Sequence, residues 1–232
     1  MLTCLRIIIL ILLFSGYRCL SFDYKIDIFL DSEAIYSVSE LLSEYSQSNN
    51  VRMYINIGNS DIDNVELLNK KDVFFVTSKE LAAILLNKMD LDGYKTIPMG
   101  KLVLVGYAQN KLIQSNLFDL DLQYKLLEIA KYGYLSIGVS SNSYGNACVE
   151  LLNELGVYQQ ISDSLERYAS GEMVLNSIMQ KNGFGLLPMK LSNDKDLVII
   201  DSISGIKNAS LYLYAIYSSK ALALVDFVAN GF

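Results

Sequence analysis

The chain has 232 residues, 52% of them apolar, with no histidine, no tryptophan and three cysteines. Its 25 acidic residues outnumber 19 basic ones, for a net charge of −6. Lack of histidine excludes Ser-His-Asp and Cys-His catalysis and, with so few cysteines, leaves zinc, copper and nickel without their usual ligands. The acidic balance argues against a nucleic-acid partner.

Arg6 precedes an apolar run, Ile7 to Phe14, and Cys19 and Ser21 stand at the small-x-small positions ahead of Phe22. This pattern predicts a signal peptide over residues 1–21 and an exported, periplasmic protein. The apolar run is shorter than the roughly 18 to 20 residues of a spanning helix. Cleavage would remove Cys4, Cys19, Arg6 and Arg18, leaving Cys148 as the single cysteine and shifting the net charge from −6 to −8.

Beyond the signal, strands and helices alternate. Ile26, Ile28 and Leu30 predict a first strand, and Ile35, Val38, Leu41, Leu42 and Tyr45 one face of a helix from Ala34 to Tyr45. A strand follows at Val51–Ile57, a short helix at Val65–Asn69 and a buried strand at Val73–Val76. Ser78 reads as the N-cap of a helix to Asn87, and Leu102–Val105 as the next strand. In the second half, helices are expected at Leu122–Ala130, Gly145–Leu155, Ile161–Tyr168, Glu172–Lys181 and Lys220–Ala229. Strands are expected at Leu135–Val139, Phe184–Leu187, Leu197–Ile200 and Leu211–Tyr217. Repeated βα units imply largely parallel sheet flanked by helices, with ligands at the carboxyl ends of strands.

Three strand-to-helix junctions are small and polar: Asp31-Ser32-Glu33, Gly58-Asn59-Ser60-Asp61, and Ser140 to Gly145. In the last, Cys148, Leu151, Leu152 and Leu155 form one apolar stripe, and Gly156 stands at the C′ position. A strand that delivers such a loop onto a helix start presents unpaired N–H groups and a positive dipole end to an anion. Each junction alone also reads as an ordinary helix cap; the three together favour a ligand cleft.

In order and spacing these segments resemble the periplasmic molybdate-binding proteins of ABC importers. IDIFLDSEAI (Ile26 to Ile35) matches the strand and A-A-S-L stretch of that family, and NIGNSDID (Asn56 to Asp63) its serine-rich second loop. NKKDVFFVTS (Asn69 to Ser78) matches G-A-x-A-D-[LV]-F. GKLVLVGY (Gly100 to Tyr107) matches the N-S-L-V-L-V crossing, SYGNACVELLNELG (Ser143 to Gly156) the P-A-G-x-Y-A-x-E-A-L-x-x-L-G helix, and FGLLP (Phe184 to Pro188) the G-I-V-Y strand.

The resemblance implies an α/β, two-lobed periplasmic-binding-protein-like fold, each lobe a mostly parallel sheet flanked by helices, joined by two hinge strands. Lobe I would span residues 22–103 with 203–232 returning to it, and lobe II residues 104–202. It implies a monomeric substrate-binding protein, not an enzyme and without a cofactor, that holds a small tetrahedral oxyanion (molybdate or tungstate) for an ABC permease. The implied ligand residues are Ser32, Ser60, Tyr144, Gly145 and Gly171, with Glu33, Asn59, Ser143 and Ser170 beside them.

Two departures stand out. Glu33 occupies the position of the family's first ligand serine, and Pro188 replaces a tyrosine. Two alternatives therefore stay open: the same fold holding a cation such as ferric iron through Tyr144, Glu33, Asp31 and Asp61, or a degenerate member acting as an interaction protein.

Overall fold

The computed structural model describes residues 24–58, 71–114, 116–132, 134–203, 206 and 209–232. The expected signal peptide and the short helix at Val65–Asn69 lie outside the described residues, as do Asn59, Ser60 and Asp61.

Strand β1 (Tyr24–Asp31) is flanked by β2 (Val51–Gly58) and β3 (Val73–Val76), both parallel to it. In β1 the side chains at Ile28, Phe29 and Leu30 are all buried, as expected of an interior parallel strand covered on both faces. Helix α1 (Ile35–Asn49) joins β1 to β2 and buries Val38, Leu42 and Tyr45, the stripe expected from its spacing. Helix α2 (Lys79–Lys88) follows β3, and its N-cap is Ser78, whose Oγ accepts the Leu81 N–H at 3.1 Å.

The next strand is much longer than its apolar segment suggests. Strand β4 runs from Gly93 to Tyr107, and its first half holds Pro98 and Gly100, residues that ordinarily interrupt a strand. A shift in register between them accommodates both, with Gly100 at φ 115°, where a side chain would be strained. The first half of β4 pairs antiparallel with β9 (Ser210–Tyr217), which also pairs antiparallel with β3. Its second half pairs antiparallel with β7 (Phe184–Pro188) and β8 (Leu197–Asp201). One strand therefore passes from one lobe into the other, and the chain returns between β8 and β9.

In the second lobe α3 (Leu122–Tyr132) leads to β5 (Leu135–Gly138), and α4 (Ser143–Glu154) follows. A single turn, α5 (Tyr158–Ile161), precedes β6 (Leu165–Tyr168), which lies parallel to β5. The helix expected at Ile161–Tyr168 is thus corrected. Ile161, Leu165 and Tyr168 mimic a helical stripe, but the free edge of β5 supplies backbone partners that a four-residue strand satisfies. Helices α6 (Gly171–Lys181) and α7 (Leu222–Asn230) complete the elements.

The sheet order is β2-β1-β3-β9-β4-β7-β5-β6, with β8 on β4. Pairing is parallel in both flanks and antiparallel around β4 and β9. Apolar cores lie on either side of this crossing: one around Val38, Leu42, Phe75 and Leu224, the other around Leu104, Ile137, Leu151 and Phe184. At the return crossing, the buried Lys125 of α3 pairs with Asp201 of β8 at 2.7 Å.

Candidate functional site

Strand β1 ends in Asp31, where the chain enters a 3-10 turn, Ser32–Ala34, that leads into α1. Asp31 is 1% exposed. Its Oδ1 accepts the Glu33 N–H at 3.1 Å, which caps the turn. Its Oδ2 accepts the backbone N–H and the hydroxyl of Thr77, at 3.1 and 2.7 Å. One buried carboxylate thus ties together the carboxyl ends of two neighbouring parallel strands.

Glu33 extends from this turn toward the other lobe. Its Oε2 lies 3.2 Å from Thr77 Oγ1, 3.5 Å from Ser143 Oγ and 3.4 Å from the backbone N of Tyr144. Ser143 and Tyr144 are the first residues of α4, so a carboxyl from one lobe sits on a helix N-terminus of the other, where dipole and N–H groups favour negative charge. Among the described residues, Glu33 Oε1 is buried with no hydrogen-bond partner. Burial, then the nearby Asp31 charge, push the Glu33 carboxyl from 4.5 up to about 7. The contacts from Tyr144, Thr77 and Ser143 pull downward and do not offset them.

The α4 terminus is built by its own loop. Asn142 is the N-cap: Oδ1 accepts the Gly145 N–H at 2.7 Å, and Nδ2 donates to the Ala169 carbonyl at 2.9 Å. A Cβ at Gly145 would lie 1.9 Å from the Val139 carbonyl oxygen, so the helix starts this close to β5 only with glycine there. The Tyr144 side chain turns away from the cleft, and its hydroxyl donates to the Leu186 carbonyl inside the lobe. Burial holds its phenol well above the usual range. Tyr144 therefore offers the cleft its backbone N–H, and its phenol pins α4 to β7.

Beside this, Ser170 caps α6 by accepting the Met173 N–H at 3.3 Å. Gly171 opens that helix against Leu191 and Pro188; a Cβ there would come within 2.7 Å of Leu191 Cδ1. Two rim contacts also join the lobes. Lys190 Nζ donates to the Ser37 carbonyl at 3.3 Å and lies 3.9 Å from the Phe232 ring centroid. The Tyr36 hydroxyl is hydrogen-bonded to Glu172.

Of the residues expected from sequence, Glu33, Ser143 and Tyr144 meet directly, and Ser32 opens the half-buried turn that carries Glu33. Gly145, Ser170 and Gly171 start the two facing helices, while Asn59 and Ser60 lie outside the described residues. Sequence reasoning missed Thr77 and Asn142. The signal for Asn142 was its place just before a helix start. Thr77 had only its place after a buried strand.

No protein-family model and no curated protein matches the chain. Solved structures do. The substrate-binding domain of a molybdenum ABC transporter described as putative, from Clostridium difficile, superposes with a TM-score of 0.65 at 15% identity, over 89% of this chain and 91% of that one. The periplasmic molybdate-binding protein of Azotobacter vinelandii gives 0.63 at 15% identity, over 89% and 92%. Full-length CbnR, solved in complex with its target DNA, gives 0.61 at 17% identity, over 98% of this chain and 78% of that one.

The last similarity corrects the exclusion of a nucleic-acid partner. A negative balance counts only against phosphate contacts made by the surface that carries it, and this fold also occurs in a protein solved on DNA. The likeness extends to fold: the chain has the two-lobed α/β architecture of the type II periplasmic binding proteins, as the sequence resemblance implies.

Proposed function

We propose that the chain is an exported solute-binding protein of an ABC importer that holds a small oxyanion, molybdate or tungstate, between its lobes. One observation carries this reading: the Glu33 carboxyl of one lobe rests on the first turn of α4 in the other. An acidic oxygen there sits where helix N–H groups and dipole stabilise an anion, at the carboxyl ends of the strands. The matched molybdate-binding structures support the same reading, as does the signal-like N-terminus. Binding rather than turnover is its role.

The cation alternative is weaker. One of its four expected donors, the Tyr144 hydroxyl, is engaged inside the lobe. Among the described residues, which leave out Asp61, no group of three or more His, Cys, Asp or Glu could hold a metal ion.

Calorimetric titration with molybdate, tungstate and sulfate tests the proposal, with saturable binding of at least one anion as the expected result. Absence of heat with all three at millimolar concentration defeats it. Glu33→Gln separates the anion from the cation: it preserves or strengthens binding of the first and abolishes binding of the second.

A further inference from the structure

The carboxyl pair in the cleft has a proton to place. Thr77 carries one hydroxyl proton, yet its Oγ1 lies 2.7 Å from Asp31 Oδ2 and 3.2 Å from Glu33 Oε2. It donates to Asp31 over the shorter distance. Its contact with Glu33 is the longer one, so Glu33 is the less satisfied carboxyl of the pair. Asp31 also accepts the N–H groups of Glu33 and Thr77, so negative charge is better satisfied there.

Among the described residues, Glu33 Oε1 is an acceptor with no partner, buried beside the α4 terminus. The described groups facing Glu33 are Asp31 from β1, Thr77 after β3, and Ser143, Tyr144 and Cys148 from α4. None of these is a cation. An anion placed on the α4 terminus meets an acceptor oxygen at Glu33, and two acceptors in a poorly solvated cleft repel unless a proton lies between them.

On the basis of the proposed function, we infer that Glu33 sets the ligand class: the cleft takes up an anion together with one proton, held between the Glu33 carboxyl and a ligand oxygen. Oxyanions that keep an acid hydroxyl near neutral pH, such as phosphate, bring that proton themselves. Fully ionised ones, such as sulfate, draw it from solvent onto Glu33. The cleft therefore prefers the first kind, increasingly so as pH rises.

The test is calorimetry with sulfate and with inorganic phosphate, at about pH 6 and about pH 8, in buffers of different ionisation heat, on the wild type and Glu33→Gln. For one linked proton, wild-type sulfate affinity falls up to about tenfold per pH unit above neutrality, with close to one proton taken up per anion at about pH 8 and little at about pH 6, where Glu33 already carries it. Phosphate binds at least about tenfold more tightly than sulfate near pH 8. In Glu33→Gln the sulfate affinity loses its pH dependence and the preference for phosphate collapses. Sulfate binding by the wild type at about pH 8 without proton uptake overturns the inference alone, and so does a Gln variant that keeps the preference. Failure of both anions to bind either protein overturns this inference alone, because the anion-binding function is tested by the titrations with molybdate and tungstate. Should the variant fail to fold, the wild-type proton count decides by itself.

Discussion

At the scale of single residues, Glu33 and Gly145 carry the most consequence. Glu33 has its carboxyl raised from 4.5 to about 7, so between those values the folded chain binds a proton that the unfolded chain has released. That contribution to stability is complete below about pH 4.5 and is lost as pH rises through about 7, a loss of roughly 1–3 kcal/mol. Urea unfolding of the wild type across this window should show the decline, and Glu33→Gln should flatten it. At Gly145, alanine would ordinarily improve a helix by about 1 kcal/mol. Here the Cβ would enter the Val139 carbonyl at 1.9 Å, so Gly145→Ala should destabilise by about 3 kcal/mol, read as a lower urea midpoint.

At the scale of elements, α4 owes its position to its ends. Asn142 caps it and reaches the Ala169 carbonyl, Tyr144 bonds across to β7, and Gly156 at φ 68° closes the far end. Asn142→Ala should cost about 1–2 kcal/mol of stability and loosen the α4 terminus against the loop before α6. Faster amide hydrogen exchange at Gly145 would report it. The apolar spacing of α4 was fully legible in sequence, because a helical stripe is a local pattern. The first half of β4 and the strand β6 were not. Pro98 and Gly100 conceal a strand that survives through a bulge, and Leu165–Tyr168 becomes a strand only because β5 needs a neighbour.

At the scale of the whole molecule, two lobes share β4 and touch through Glu33, Lys190 and the Tyr36–Glu172 pair. A ligand bound between them stabilises the folded chain by mass action. At a hundredfold excess over its Kd, molybdate or tungstate should add about 2.7 kcal/mol, a rise of roughly 5–10 °C in Tm for a chain of this size. Scanning calorimetry with and without the anion checks this, and an unchanged Tm at saturating concentration counts against the proposed function.

Sequence alone determined the alternation of strands and helices, the helix caps at Ser78 and Gly156, and the polar junctions that end β1 and open α4. All of these rest on local spacing and on residue types with strong backbone preferences. It also marked Glu33 as a departure from the serine that the family resemblance implies at that position. Only the tertiary structure decided what that residue does. Whether the Glu33 carboxyl points outward or across to α4 depends on the approach of a helix more than a hundred positions away, and the inward turn of the Tyr144 phenol depends on strand β7, 42 positions further on. Such contacts leave no periodic trace in a single chain, because they are set by how distant elements pack and not by the sequence neighbours of either residue.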